Sequence, residues 1–484
     1  MNIWNFSYKL QKMKKSNRCL RKVTAEYNPH HIIMKEYLIF LAQSHPAFRK
    51  AELESLADLH NIKADFSNHN EEHPFMIVQL QNDEEAYQLI DRAILSKSIY
   101  ELWGHGNTME ELHTDVKKKV DQLKERYIDS SFKFENLTFQ GGKKSREQQV
   151  AIFDQFRYLE FTGKIKLKNP DQVYTILEQY SLGANLQPLD TPDHIWFGRQ
   201  VNISARSRGA VEKYDIKKRP YFGTTSFDAE LSLFTCNMGQ VKKSDLIYDP
   251  FVGTGSFLVT AAEFGGITIG SDIDFLTLKG KGPKRRLKSN FDYYKKPLQF
   301  TDVLCMDFTN NAFRSNLKFG SILCDPPYGV REGVKVCGSS DPRKEGREKV
   351  VIDGQLAFLR RDYIPPKKAY SLDLLLDDLL HFASERLDVG SRLCFWMPVA
   401  NDEDIPTMIP QHEDFELIYE LVQDFHKWSR RLLVYLKRDD DYKGITLTTE
   451  DREGVNNFRD RYFHKFSKLS MADKKNSNSS SGSV

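Results

Sequence analysis

The chain offers no cysteine pairing to build on. Its six cysteines, Cys19, Cys236, Cys305, Cys324, Cys337 and Cys394, are scattered over 484 residues without a CxxC spacing. That pattern argues against a disulfide framework or a structural metal site, and suits a reducing, cytoplasmic compartment. Long apolar runs are missing as well. None approaches the about 20 residues that a membrane-spanning helix needs, so no membrane is expected among its partners. A strong charge bias is also lacking, with a net charge of +3 from 70 basic and 67 acidic residues. This is compatible with a nucleic-acid partner without demanding one, and local clusters matter more than the total. What is present is 40% hydrophobic, 28% charged and 12% aromatic residues, the composition of a soluble globular protein. At this length two or three domains are expected.

The two ends differ from the middle. Residues 1–33 carry Lys9, Lys12, Lys14, Lys15, Arg18, Arg21 and Lys22 against a single acid, Glu26. An acid-poor basic start is the mark of an organelle-targeting peptide or of a disordered extension ahead of the first domain. The second reading is preferred, because globular periodicity begins directly after Met34. Residues 439–484 form a C-terminal extension, and its Ser/Asn/Gly-rich end from Lys474 has too little apolar surface to fold.

Between the ends, strand-like and helical stretches alternate. In 34–106 the runs YLIFLA (37–42), FMIVQL (75–80) and SIYELWG (98–104) are separated by two helical patterns. The second of these opens at Asp83, a candidate cap. The economical reading is a β-α-β-β-α-β, ferredoxin-like unit. Residues 107–205 form a less regular second unit, with strands expected at FKFENLTF (132–139), KIKLK (164–168) and HIWFGRQV (194–201). Lys143, Lys144, Arg146, Lys164, Lys166, Lys168, Arg199, Arg206 and Arg208 are candidates for one basic surface, or are simply solvated charges. Residues 206–220 read as a linker. From 221 to 438 the runs LIYDP, ITIGSD, FTDVLCMD, GSILCDPPY and RLCFWMP, a long amphipathic helix at 371–387 and a closing hairpin at 415–438 predict a mostly parallel α/β sheet covered on both faces.

Chemistry concentrates in this last domain. DPFVGTGSFL (249–258) stands where a strand ends and a helix begins. Gly253 and Gly255 let the backbone turn sharply and approach a ligand. A phosphate-binding P-loop would need Gly-Lys-Ser/Thr, which Ser256-Phe257 does not supply. A dinucleotide fingerprint wants a third glycine, where Leu258 stands. A strand-terminal acid with a Gly-x-Gly turn suits S-adenosylmethionine, and a strand–turn–helix without a ligand is the competing reading. Asp272, about twenty residues on, is placed for ribose hydroxyls. Asp307 ends the next strand, where an acid can accept an adenine amine. Each acid taken singly is equally a cap or turn residue. Three in succession at the carboxyl edge point to a ligand.

Asp325-Pro326-Pro327-Tyr328 ends the fourth strand. Two prolines stiffen the turn. A heteroaromatic amine is a poor nucleophile, because its lone pair is delocalised into the ring. Accepting its two N–H groups on the Asp325 carboxylate and the Pro326 carbonyl would aim that lone pair and stabilise the charge developing on nitrogen. Tyr328 offers a face for a base to stack on. Cys324 beside it reads as a buried strand thiol in preference to a nucleophile.

DPPYGVREG (325–333), DPFVGTGSFL, the SRRLLVYLK ending and the start MKEYLIFLAQSHPAFRKAEL together resemble the eukaryotic catalytic subunits of tRNA (guanine-10-N2)-methyltransferase. The resemblance runs from Met34 to about Lys437. It implies a Rossmann-like methyltransferase domain with a seven-stranded sheet behind ferredoxin-like and THUMP domains. S-adenosylmethionine is the implied cofactor, held by Asp249, Phe251, Gly253, Gly255, Asp272 and Asp307. Asp325, Pro326, Pro327 and Tyr328 carry the catalysis, tRNA is the substrate and N2-methylguanosine the product. It also implies a small zinc-binding activator subunit, for which the expected open edge of the FTDVLCMD strand offers a place. Two other readings stay open: an amino-methyltransferase acting on adenine or protein glutamine, and a catalytically silent RNA-binding scaffold.

Overall fold

The computed structural model describes residues 34–330, 333–341, 351–360, 363, 365–401, 408–425, 428–450, 458–459 and 462. The basic extension 1–33, the tail from Lys474, and Arg331 and Glu332 of the GVREG run lie outside them.

Two large sheets organise residues from Lys35 onward. The first has six strands in the order β2-β1-β3-β6-β5-β4, where β1 is Lys35–Leu41, β2 Phe75–Leu80, β3 Ser96–Gly106, β4 Phe132–Phe139, β5 Gln172–Gln179 and β6 His194–Ile203. Residues 34–106 supply three strands, not the four of a complete ferredoxin-like unit. The chain between helix Arg49–Leu59 and β2 stays irregular, so the strand that a full unit would carry there is not formed. Instead β3 pairs antiparallel with β6 along its length, and the two expected units share one continuous sheet. Strand β5 (QVYTILEQ), which the sequence reading passed over, is buried at Tyr174, Ile176 and Leu177. KIKLK does not form the expected strand. Ile165 makes a single bridge to Phe132, and Ile165 and Leu167 are 72% and 76% exposed. Helix Asp83–Asp91 is capped by Asn82, whose side chain accepts from the Glu85 amide. Asp83 instead binds the Tyr37 hydroxyl at 2.7 Å and pairs with Arg199.

The second sheet has seven strands in the order β16-β17-β15-β10-β7-β8-β9. These are β7 Leu246–Asp249, β8 Ile267–Asp272, β9 Phe300–Cys305, β10 Phe319–Cys324, β15 Leu387–Ala400, β16 Phe415–Asp424 and β17 Trp428–Lys437. The strands from β15 to β9 run parallel, and β17 and β16 close the sheet antiparallel. This is the expected Rossmann-like sheet, with β9 at an open edge. Between β10 and helix Leu372–Arg386 lie two small ribbons, β11 (Lys335–Cys337) with β14 (Lys367–Ala369), and β12 (Val351–Ile352) with β13 (Gln355–Leu356). Helix Leu372–Arg386 starts at Ser371, which caps Leu374, and buries Leu375, Leu376, Leu379, Leu380 and Phe382 against the sheet.

Residues 206–220 are packed, in contrast to the expected linker. Tyr214 and Arg219 are buried, and Tyr214 belongs to the core around helix Ser256–Glu263. The two sheets are also joined through helix Arg49–Leu59 and the turn before it, which pack against helix Ala229–Met238 and β15. Phe48 packs on Phe234 and Trp396, while Glu52 is fully buried and accepts from the Ile94 and Leu95 amides and from Asn237 Nδ2. No helix among the described residues is long and apolar enough to cross a membrane.

Candidate active site

Strand order places the sequence-predicted acids. The chain runs β7, β8, β9 outward and then returns to place β10 on the other side of β7. In open α/β sheets the crevice at such a reversal, beyond the carboxyl ends of the strands, is where ligands bind. Asp325 follows β10, Asp249 ends β7, Asp272 ends β8 and Asp307 follows β9. The four acids therefore form a row along one edge, with the reversal between Asp325 and Asp249.

The Gly-rich turn lies beside this row. Gly253 has φ +48° and Gly255 +84°, a left-handed backbone that side chains resist. A Cβ on Gly253 would meet only the Phe251 carbonyl, at 3.9 Å, so its outer side is open to a ligand. A Cβ on Gly255 would press on Leu287 at 2.9 Å, so that glycine serves packing. The Gly253 amide donates to Asp272 Oδ2 at 2.9 Å, and the Asp274 amide donates to Asp272 Oδ1 at 2.8 Å. Helix Ser256–Glu263 begins directly behind the turn.

Asp249 is 2% exposed and accepts the Phe251 amide at 2.9 Å. Burial pushes its carboxyl well above the usual carboxylate range, and Asp272 and Asp325 add to the effect. A buried carboxyl crowded by two others is poised to receive a cation. Phe251 packs edge-on against Phe308. Asp307 is 8% exposed, and its Oδ1 holds the Thr309 amide and hydroxyl. Its Oδ2 accepts the Cys337 amide at 2.6 Å and so ties the ribbon after the Asp325–Tyr328 turn to the carboxyl edge of the sheet. The cap role open to this acid in the sequence is thus realised in the structure.

At the Asp325–Tyr328 turn Pro326 is buried and Tyr328 is partly buried. The Tyr328 hydroxyl donates to Asp325 Oδ1 at 2.5 Å, a bond that sequence reasoning missed. Burial and the Asp325 carboxylate raise the phenol pKa well above its usual value, and Arg430 opposes them. Cys324 is fully buried, and burial pushes its thiol up as well, which suits packing and not nucleophilic chemistry.

Other contributors were not foreseen. Residues 219–228 wrap the glycine turn. The Arg219 guanidinium and the Phe227 amide both donate to Ser256 Oγ, and Ser226 Oγ meets Thr254 Oγ1 at 2.8 Å. Arg430 on β17 lies over Phe227 and Trp396 at 4.3 and 4.9 Å. Phe458 of the C-terminal extension is 2% exposed against Trp428 and Tyr328. The signals were faint: an arginine inside an apolar strand, and Phe458 with Tyr462 at helical spacing in a charged stretch.

The nine candidate basic residues do not form one surface. Arg199 is buried between Glu101 and Asp83. Arg206 pairs with Glu230, Arg208 with Asp91 and Lys144 with Glu178. Lys143, Arg146, Lys164, Lys166 and Lys168 are exposed.

Residues 35–206 match the family model of the Tmrp11 THUMP N-terminal domain. A relative from Saccharomyces cerevisiae named tRNA (guanine(10)-N(2))-methyltransferase is 51% identical over 441 residues, which cover 90% of this chain and 100% of that protein. Relatives of the same activity name from Schizosaccharomyces pombe and Mus musculus are each 34% identical. They align over 91% of this chain and over 99% and 98% of their own lengths. With a catalytic sheet and an N-terminal module matched together, the chain belongs to the tRNA (guanine(10)-N(2))-methyltransferase family.

Proposed function

We propose that this chain transfers a methyl group from S-adenosylmethionine to the exocyclic N2 of guanosine at position 10 of tRNA. The observation that carries this reading is the row of Asp325, Asp249, Asp272 and Asp307 across the sheet reversal, beside a glycine turn whose outer side is open. In this assignment Asp249, Phe251, Gly253, Asp272 and Asp307 hold the cofactor, and Gly255 seats the turn against Leu287. Asp325, Pro326, Pro327 and Tyr328 face the base. When bound, the cofactor supplies an electrophilic methyl group on a positively charged sulfur.

The chain's own residues then do three things. Asp249 offers a buried carboxylate to the cofactor's ammonium, and the ion pair relieves its crowding by Asp272 and Asp325. The Asp325 carboxylate and the Pro326 carbonyl accept the two amine N–H groups and hold the lone pair toward the methyl. The same carboxylate stabilises the positive charge that grows on nitrogen, and it is the base placed to take the proton the methylated amine sheds.

The THUMP-matched residues 35–206 would dock the tRNA. A small zinc-binding activator subunit would pair with the open edge at β9, where Thr301, Asp302 and Cys305 are exposed. Co-expression that gave no complex, with the isolated chain fully active, would remove that subunit from the assignment. The cytoplasm is the proposed compartment, on the strength of the scattered free thiols.

The decisive experiment is methyl transfer from labelled cofactor to unmodified tRNA, followed by nucleoside analysis of the product. Asp325→Ala is expected to lower turnover on the order of 100-fold or more, with cofactor affinity little changed. Unaltered turnover in that variant would defeat the mechanism. Label in protein but not in tRNA would favour the amino-methyltransferase alternative.

A further inference from the structure

The C-terminal extension reaches the active site. Beyond β17 the chain is pinned back onto the catalytic domain. The Leu447 amide donates to the Gln411 carbonyl, and the Thr449 amide and hydroxyl both donate to Asp377 Oδ2 on helix Leu372–Arg386. Phe458 then lies buried beside the catalytic turn. Its ring meets Tyr328 edge-to-face at 6.3 Å and Trp428 at 5.4 Å. The Arg459 side chain covers Gly329, the residue directly after the turn. Trp428 is itself set by stacking on Phe425 at 4.5 Å and meets Tyr328 edge-to-face at 6.4 Å.

Tyr328 is therefore fixed at both ends. Its ring is bounded by Trp428 and Phe458, and its hydroxyl is donated to Asp325 Oδ1. Arg430 lies next to it on β17, held by Gln423 Oε1 at 2.6 Å and by the faces of Phe227, Trp396 and Phe425. A carboxylate at the end of a strand can rotate about its side-chain bonds. A hydroxyl donated from three residues along the same stiff turn restrains that rotation, and the position of the Tyr328 ring sets where the hydroxyl lies. Aromatic edge contacts of this kind prefer a defined ring geometry, which sets the position of the Tyr328 ring.

We propose that Phe458, brought in by the C-terminal extension, is a positioning residue for methyl transfer: with Trp428 it holds Tyr328 so that the phenol hydroxyl fixes the Asp325 carboxylate. The proposal rests on the reading that Asp325 orients the target amine. It gives Tyr328 a task besides offering a face to the base, and it makes the extension part of the catalytic unit.

The test uses the full chain with tRNA and labelled cofactor, reading kcat, KM for tRNA and cofactor affinity separately. Phe458→Ala should lower kcat on the order of 10- to 100-fold, with KM and cofactor affinity nearly unchanged. Phe458→Tyr should restore most of the loss. Tyr328→Phe should lower kcat in the same way, and adding Phe458→Ala to it should cost little more, since both act through one contact. Wild-type kcat in Phe458→Ala would overturn the proposal, as would full additivity with Tyr328→Phe. A loss shared by kcat, KM and thermal stability that Phe458→Tyr does not rescue would assign Phe458 to folding alone and equally overturn it. Asp325→Ala separates the layers. If it abolishes turnover while Phe458→Ala does not matter, only this proposal fails. If Asp325→Ala is active, the underlying assignment of the turn fails first.

Discussion

The backbone amide of Gly253 donates to the carboxylate of Asp272 across 2.9 Å, so the turn after β7 is clamped to the end of β8. The clamp aims the left-handed Gly253 outward, and the two glycines of the turn then differ in what an alanine would disturb. At Gly253 the added methyl enters open space, on the side proposed for the cofactor. Gly253→Ala should lower cofactor affinity at least tenfold, while the strained φ costs about 1–2 kcal/mol of stability. At Gly255 the methyl collides with Leu287 in the core, so Gly255→Ala should mainly lower Tm, with overpacking adding about 1–3 kcal/mol to the strain. Calorimetric titration and thermal unfolding of both variants check the contrast. Equal effects on binding and Tm in the two would show that the turn does not divide its labour this way.

Asp249 supplies a pH prediction. Its pKa in the ligand-free protein is raised by burial, with Asp272 and Asp325 adding to the shift. A cofactor ammonium would lower that pKa, so the complex binds fewer protons than the free protein. Affinity should accordingly rise with pH through the range in which that carboxyl titrates, and binding within that range, with the cofactor amine charged, should release protons. Titrations in two buffers of different ionisation enthalpy measure the release directly, and equal heats would refute it. The same crowding predicts that Asp249→Asn weakens cofactor binding while leaving Tm unchanged or higher, because burying a titratable carboxyl beside Asp272 and Asp325 costs stability that the amide does not.

Glu52 is a buried carboxylate at the junction of the two sheets, accepting from the Ile94 and Leu95 amides and from Asn237. Burial raises its pKa, and these bonds with nearby Arg92 hold it down. Glu52→Ala leaves buried donors without their acceptor and should cost about 3 kcal/mol or more. Because Ser55, Asp58 and Arg392 bridge the same junction, the loss should loosen the docking of one sheet on the other. The expected signature is faster hydrogen exchange along helices Arg49–Leu59 and Ala229–Met238 and a raised KM for tRNA, with cofactor affinity preserved. Unchanged exchange at the junction would show that Glu52 does not hold it.

The catalytic half was legible because its signals are local. A strand-terminal acid, a Gly-x-Gly turn and a double proline each restrict the backbone within a few residues, and the strand order then aligned Asp249, Asp272, Asp307 and Asp325. The parts that escaped depend on distant pairing. β5 was missed because its partners β4 and β6 lie far away in sequence and its own pattern is nearly continuous. Arg199 reads as a surface cation in a string of letters and becomes internal only when Glu101 and Asp83 fold around it. Tyr328 looked like a stacking platform because neither Asp325 Oδ1 nor Phe458 can be placed beside it from spacing alone.

That division among the cations yields the last prediction. Lys164, Lys166 and Lys168 stand exposed beside the equally exposed Ile165 and Leu167 at the β4 side of the first sheet, with Lys143 and Arg146 also exposed in the same module. Nothing in folding keeps two large apolar side chains on a strip of three lysines in water, whereas an RNA backbone with unstacked bases would use both. Replacing the three lysines by alanine should therefore raise KM for tRNA and flatten its salt dependence, each lost phosphate contact lowering the slope of log K against log salt by roughly 0.7–0.9. Turnover at saturating tRNA, cofactor affinity and Tm should stay at wild-type values. Arg199→Ala makes the opposite control, because it removes a buried guanidinium from between Glu101 and Asp83, leaving Lys35 as their remaining cation, and should cost about 1–3 kcal/mol in stability. If the lysine variant binds tRNA with an unchanged salt slope, the strip is solvated surface and the docking face lies elsewhere on the module.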